Sequence, residues 1–270
     1  VPNADAHITP YADQYITVKY DENMFNERGT HDVETVIEAP NQIFNDTPMI
    51  IYGASRISDI GDLSPLYAGT VDVSKGIKLK QLIIGNSASD YRNTNLEELS
   101  IGNNELLTKL DVSNCPGLTQ TIDLGGCTNI EEIYAKGTST TAVKVPNGGN
   151  LKVLHLPNTI TNLTILNQPF ITNFVCWDYS KINTLRIENT SIDTLSIVEG
   201  AINSLERVRL TNVNWTLQNS TILEKLLTLK GLNENGVSTD KPVLTGKIHI
   251  RGKVSSSLIK ECAAIFGSNL

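Results

Sequence analysis

One phrase recurs along the middle of the chain: an apolar residue, two others, an apolar residue, one other, an apolar residue. It stands at Leu79-Leu82-Ile84, Leu96-Leu99-Ile101, Leu107-Leu110-Val112, Ile130-Ile133-Ala135, Leu151-Leu154-Leu156, Ile160-Leu163-Ile165, Ile171-Phe174-Cys176, Ile182-Leu185-Ile187, Ile192-Leu195-Ile197 and Leu205-Val208-Leu210. Leu118-Ile122-Leu124 is the same phrase with one residue inserted. In seven of these eleven phrases the residue seven places after the first apolar position is asparagine: Asn86, Asn103, Asn114, Asn158, Asn167, Asn189 and Asn212. Apolar positions two apart, followed by a polar turn, predict a short strand with one face buried. Such a strand cannot bury its face alone, so tandem copies are expected to stack around a shared core.

Neighbouring starts are too close for a piece of chain that must go out and come back, so two phrases make one coil. Alternate starts at 107, 130, 151, 171 and 192 are separated by 23, 21, 20 and 21 residues, and the second series runs 96, 118, 141, 160, 182 and 205. Those steps fall in the range of about 20 to 29 residues that leucine-rich repeats occupy. The stretch Leu107-Thr108-Lys109-Leu110-Asp111-Val112-Ser113-Asn114-Cys115-Pro116-Gly117-Leu118 resembles the unit of bacterial leucine-rich-repeat proteins. The resemblance implies a mainly β fold, a leucine-rich-repeat solenoid with parallel strands on two sides of the coil. An asparagine side chain carries both a donor and an acceptor, so stacked asparagines are expected to pair the inward-turning backbone at successive corners.

The flanks set the domain organisation. Residues 1–75 read as an N-terminal β-rich region and cap, with strands at residues 14–20, 33–39 and 49–52; residues 76–212 are the repeat; residues 213–270 are an α+β C-terminal cap. In that cap a helix starting at Asn219 or Ser220 runs through Leu223, Leu226, Leu227 and Leu229 to Gly231, a strand covers residues 243–250, and a second helix covers residues 255–266. That last helix is expected to put Leu258, Ile259, Cys262, Ala263 and Phe266 on one face, and Trp215 is expected in the core. Residues 137–150 keep only Val143 and Val145 of a phrase and are expected to be looser. Between Ile84 and Leu96 the chain spends extra residues, including Tyr91; insertions in repeats become loops on one side of the stack, often the binding side.

Composition narrows the partners. The chain has a formal charge of −7 and a pI near 5.2, which argues against a nucleic-acid partner. The charge is uneven: residues 1–75 hold twelve acidic against four basic residues, a net of −8, which leaves the remainder near +1. No apolar run approaches the roughly 18 residues of a membrane span. The chain opens Val1-Pro2-Asn3 without methionine or a basic-then-apolar leader, so an internal piece of a longer protein is expected.

No catalytic or metal constellation is legible. His7, His31, His155 and His249 are scattered, and Cys115, Cys127, Cys176 and Cys262 form no Cys-x-x-Cys pair. No cofactor and no metal are expected; a Cys115–Cys127 disulfide is possible and not favoured. The five Asn-x-Ser/Thr sites, at Asn45, Asn162, Asn189, Asn214 and Asn219, are expected by chance in so Asn- and Thr-rich a chain. What a repeat offers is surface. The third and fifth residues of each phrase should point outward, which on one side gives the rows Lys109, Glu132, Val153, Asn173, Thr194 and Asp111, Tyr134, His155, Val175, Ser196. Tyr134, Val153, His155 and Val175 then form an apolar and aromatic contact patch. The other side ends in a basic group, Arg186, Arg207 and Arg209.

Taken with Gly61-Asp62-Leu63-Ser64-Pro65-Leu66-Tyr67 and Ile51-Tyr52-Gly53-Ala54-Ser55-Arg56, with Leu163-Thr164-Ile165-Leu166-Asn167-Gln168-Pro169, with Arg207-Val208-Arg209-Leu210 and with Gly231-Leu232-Asn233-Glu234-Asn235-Gly236, the chain resembles leucine-rich modules in large virion or tail structural proteins of gut bacteriophages. That resemblance implies a non-enzymatic structural or adhesion module of a phage particle, located in the virion. Its partners would be other virion proteins or a host-surface protein or glycan. The alternative is a bacterial cell-surface leucine-rich-repeat adhesin.

Overall fold

The computed structural model describes the backbone of six N-terminal strands between residues 5 and 62, and describes side chains over residues 70–74, 79–85, 87 and 96–265. Its architecture is mainly β, with parallel sheets and a sheet curled into a half-barrel.

The apolar phrases build the core. Each of their apolar positions is buried except Phe174, Ile192 and Leu195, which are half-buried against the same cluster. Burying one such Leu or Ile stabilises by about 1.5–3 kcal/mol, so the stack of phrases is where the fold gains its stability. Between these positions the chain alternates between two groups of strands. In the first group Gln81–Ile83, Lys109–Asp111, Glu132–Tyr134, Val153–Leu156 and Asn173–Cys176 pair in parallel and in register, each with the strand two phrases away. Ile57–Asp62 joins this sheet in parallel beside Gln81–Ile83, and Asp5–Pro10 and then Thr35–Glu38 extend it antiparallel. The sheet therefore runs without a break across the expected boundary at residue 75. Gln14–Tyr20 pairs with Asn23–Gly29 and Ile50–Tyr52 in a separate antiparallel sheet.

The second group comes in pieces. Thr70–Asp72 pairs with Glu98–Ser100, Ile122–Asp123 with Val143–Lys144, and Asn162–Leu166 with Thr184–Glu188 and then Arg207–Leu217, all parallel. The first break falls between Glu98–Ser100 and Ile122–Asp123, at the phrase Leu118-Ile122-Leu124 that carries the inserted residue. Side chains bridge the gap: Gln120 Nε2 donates to the Leu99 carbonyl at 2.6 Å, Thr140 Oγ1 to the Gln120 carbonyl at 2.6 Å, and Thr159 Oγ1 to the Thr140 carbonyl at 2.6 Å. The weak stretch at residues 137–150 has a strand of only two residues, Val143–Lys144, and keeps its place through these side-chain bonds together with backbone bonds such as Ser139 N–H to the Leu118 carbonyl at 3.0 Å and Thr161 N–H to the Thr141 carbonyl at 3.0 Å.

Corners are tied to the turn of chain before them. Buried Gln168 donates to the Pro146 carbonyl at 2.9 Å, Ser139 Oγ to Pro116 at 2.7 Å, Ser191 Oγ to Ile171 at 2.7 Å and Ser204 Oγ to Ile182 at 2.8 Å. The asparagines work differently from the expectation. Asn114, Asn167, Asn189 and Asn212 hold φ between 51° and 60°, the left-handed conformation that asparagine tolerates better than most side chains. The side-chain amides of Asn167, Asn189 and Asn212 then bond along one ladder rather than to inward-turning backbone. Asn212 Nδ2 donates to Asn189 Oδ1, Asn189 to Asn167 at 2.7 Å and Asn167 to Asn147 at 2.7 Å. The ladder is exposed to solvent. Where the same slot holds Gly126, a Cβ would lie 2.1 Å from Asn103 Oδ1, so glycine makes room for the preceding asparagine.

The phrase Ile192-Leu195-Ile197 is not a strand. Thr194–Ala201 is an α-helix, because Asp193 caps it by accepting from the Ser196 amide at 3.2 Å and because Thr194, Ile197, Val198 and Ala201 recur at helical spacing and are buried. Thr194 and Ser196 accordingly do not extend the outward rows. After Arg207–Leu217, which crosses the expected boundary at residue 212, come helix Thr221–Leu227, strands Lys230–Leu232, Ser238–Thr239 and Val243–Ile250, and helix Ser256–Phe266. The first of these helices stops earlier than the apolar pattern suggested, because Lys230–Leu232 pairs beside Arg207–Val208. Trp215 is 5% exposed, in the core. In the last helix Leu258 and Cys262 are buried but Ile259 is 52% exposed and Ala263 also faces solvent, so the buried face is narrower than the sequence suggested.

All four cysteines are free and buried. Burial, with the Asp111 carboxylate adding to it, pushes the Cys115 thiol up to about 12, and burial pushes Cys127 up to about 11. Thiolate is the reactive form, so neither should be labelled by a thiol reagent at pH 8 until the protein is unfolded, when all four should react; a thiol titration with and without urea reads this directly. The ladder carries a second expectation. Asn189→Ala loses the left-handed tolerance and two amide bonds and should cost about 2 kcal/mol in urea denaturation, whereas Asn189→Gly, which keeps the conformation, should cost about half as much.

Candidate functional site

On the first sheet the parallel register decides which outward side chains meet. Lys109, Glu132, Val153 and Asn173 are successive register partners, as are Asp111, Tyr134, His155 and Val175. Neighbours in a row stand one strand apart, about 4.8 Å. Tyr134 meets His155 edge-on, with ring centroids 5.0 Å apart and planes at 80°. Its hydroxyl donates to Glu132 Oε2 at 3.3 Å. Lys109 Nζ sits 5.4 Å from the Tyr134 ring centroid and 3.6 Å from Glu132 Oε2. His155 Nε2 lies 3.2 Å from Asn173 Oδ1. Val153 and Val175 are half-buried beside them. Burial, and then the Glu132 carboxylate, push the Tyr134 phenol above its ordinary value, so it serves as a neutral hydrogen-bond donor. The four residues of the expected patch are therefore brought together on one face of the sheet.

Two residues outside that expectation extend the surface. Trp177 is 65% exposed and Phe170 55% exposed, at either end of strand Asn173–Cys176. Lys136 Nζ lies 4.7 Å from the Trp177 ring centroid, a cation–π contact across Pro157. Lys136, Pro157 and Trp177 each follow the last apolar residue of their phrases, so this column was open to the same row analysis. One residue leaves the surface. Asp111 is 4% exposed and tied down: Asp111 Oδ2 accepts from the Ser87 amide at 3.0 Å and Oδ1 from the Ser113 amide at 2.9 Å.

No family model, no curated protein and no solved structure matches this chain. The site is therefore read from its own geometry.

Arg186, Arg207 and Arg209 lie on the other group of strands, away from the Tyr134 patch, with Arg186 and Arg209 in register. Their charge is partly compensated. Arg186 Nε and Arg209 Nε donate to the same Glu188 oxygen at 2.6 and 2.8 Å, Arg209 Nη1 donates to the Leu232 carbonyl at 3.4 Å, and Arg207 pairs with Glu206 at 3.4 Å. A carboxylate shared by two largely buried guanidinium groups reads as a structural tie between neighbouring strands more than as a basic surface. Tyr91 lies outside the described residues.

Among the described residues no group of His, Cys, Asp and Glu is placed to hold a metal ion, and no helix is long and apolar enough to cross a membrane. A shallow groove of about 300 Å³ is lined by Lys80, Leu106, Thr108, Asn129, Glu131 and Asn150. Its carboxylate, Glu131, is paired with Lys152 at 2.8 Å.

Burial raises the Glu188 carboxyl, but the bonds from Arg186 and Arg209 outweigh it and hold the group below its ordinary range. A carboxyl whose folded-state pKa is depressed contributes stability that is complete above the unfolded-state value and is lost as pH falls through the folded-state one. Wild type should therefore exceed Glu188→Gln in denaturation midpoint at neutral pH, and the gap should close as the pH is taken down through the acidic range.

Proposed function

We propose that this chain is a leucine-rich-repeat solenoid serving as a non-enzymatic structural or adhesion module of a bacteriophage particle, with the outward rows of its first sheet as the contact surface. The observation that carries this reading is the in-register stacking that sets Tyr134, His155, Val153 and Val175 side by side on one face. The steps of 20 to 23 residues between equivalent phrases support the repeat assignment, as does the resemblance to phage virion and tail modules.

The chemistry of the face suits a protein or glycan partner. The half-buried Tyr134 ring and the exposed Trp177 ring offer flat apolar area at low entropy cost, and Glu132, His155, Asn173 and Lys109 add donors and acceptors near Tyr134. No step of bond making is assigned to it. In this reading the virion is the location, and neighbouring virion proteins or a host-surface protein or glycan are the partners. A cell-surface adhesin of a bacterium would use the same face; capsid, portal or tail genes beside the coding sequence favour the phage reading, and a surface-anchor segment in the same frame favours the other.

Binding of the purified chain to candidate host cells and to immobilised host glycans tests the surface. Tyr134→Ala with Trp177→Ala should weaken binding about tenfold or more while leaving the urea midpoint nearly unchanged. Arg207→Ala, on the other strands, should leave binding as it was. Equal loss from both, or from neither, places the contact surface elsewhere.

A further inference from the structure

Strand Arg207–Leu217 is eleven residues long, and its neighbour Thr184–Glu188 covers only Arg207 to Thr211. Beyond the turn at Asn212, where the register shifts, Val213 to Leu217 continue beside Gly246 to Ile250 as a two-stranded parallel ribbon. Among the described residues nothing pairs with the ribbon's other edge at Val213 to Leu217. In a parallel pair each residue turns both its N–H and its C=O to one neighbour, and the next residue turns both the opposite way. The Arg251 amide donates to the Leu217 carbonyl at 2.8 Å, which settles the alternation: Val213, Trp215 and Leu217 bond to the Val243–Ile250 strand, and Asn214 and Thr216 present their backbone groups to the open edge. No hydrogen bond among the described residues reaches those groups.

Such an edge templates another strand, and chains usually guard one with charges or proline. The guard is missing on this side. Asn214, Thr216 and Gln218 are exposed and uncharged, whereas the strand on the far side of the ribbon carries Lys247, His249 and Arg251. We propose that the Val213 to Leu217 edge pairs antiparallel with the same edge of a second copy of this chain, across a two-fold axis at Trp215.

The register follows from the alternation. Asn214 of one copy faces Thr216 of the other, and each of these two symmetry-related pairs exchanges both N–H···O=C bonds, while Trp215 meets its counterpart as the intervening non-hydrogen-bonded pair. All four backbone bonds come from groups that are otherwise unpaired, and no like charges are opposed. The ribbons of the two copies join into one four-stranded sheet with the two Val213 to Leu217 segments in its middle, above the size at which a sheet holds its own stability. A two-fold contact of identical patches is the commonest closed assembly. The edge at Asn173–Cys176 is a weaker candidate, because helix Thr194–Ala201 follows it, with Gly200 packed against Tyr179 and Ser191 bonded to the Ile171 carbonyl.

Sedimentation equilibrium on the 270-residue chain over a concentration series tests the proposal, with circular dichroism to verify folding. Wild type should reach twice the mass of 29.5 kDa. The double variant Asn214→Lys with Thr216→Lys places lysine opposite lysine twice and should raise the dimer Kd about tenfold or more. Asn214→Lys with Thr216→Glu places lysine opposite glutamate in the same register and should restore it. A monomeric wild type, or equal dimerisation by the two double variants, overturns the proposal; so does a wild-type complex with another protein that both double variants disrupt while the mass of the free chain stays monomeric.

Discussion

Parallel strands two phrases apart share backbone hydrogen bonds in strict register from Gln81 to Cys176, and the rest of the molecule is arranged by that constraint. A strand's side chains alternate faces, so a slip of one residue would expose Leu110, Ile133 and Leu154 and bury Lys109, Glu132 and His155. With the register held, the apolar residues of successive phrases meet inside and the residues between them meet outside. Core and candidate contact surface are two faces of one pairing.

Holding that register takes more than the strands themselves, which are only two to five residues long over most of this region. Corner side chains supply the rest by donating one turn of chain back, as Gln168, Ser139, Ser191 and Ser204 do, and the amide ladder from Asn147 to Asn212 repeats the tie on the solvent side. Glu188 does the same with charge, bridging Arg186 and Arg209 on adjacent strands. At the phrase with the inserted residue, the strand ladder between Glu98–Ser100 and Ile122–Asp123 is interrupted, and the Gln120 side chain bridges it to the Leu99 carbonyl.

The two ends meet the problem of an unfinished stack differently. Toward the N-terminus the sheet passes from parallel to antiparallel pairing through Ile57–Asp62 and Asp5–Pro10. Toward the C-terminus the first sheet gives way to helix Thr194–Ala201, while the second continues into a long strand that outruns its neighbour. An end that closes its apolar face with a helix needs no further strand; an end that leaves backbone groups open invites one.

Local periodicity was enough to locate the core, because strand alternation and burial are both properties of a few consecutive residues: the phrases mark the buried positions, and the cross-strand meeting of Tyr134 with His155 follows from a step of 21 residues. Tertiary structure alone decided the rest. Asp111 is outward by its place in the phrase and is buried, with its carboxylate bonded to the Ser87 and Ser113 amides. Ile192-Leu195-Ile197 fits the strand phrase and forms a helix, since the Asp193 cap and the burial of Val198 and Ala201 outweigh a three-residue pattern. Arg186 and Arg209 read as a basic group, yet both bond to the one Glu188 carboxylate, which reaches Arg209 only through the pairing of neighbouring strands. In each case the deciding contact is long-range or competes with the local pattern, and spacing along the chain does not encode it.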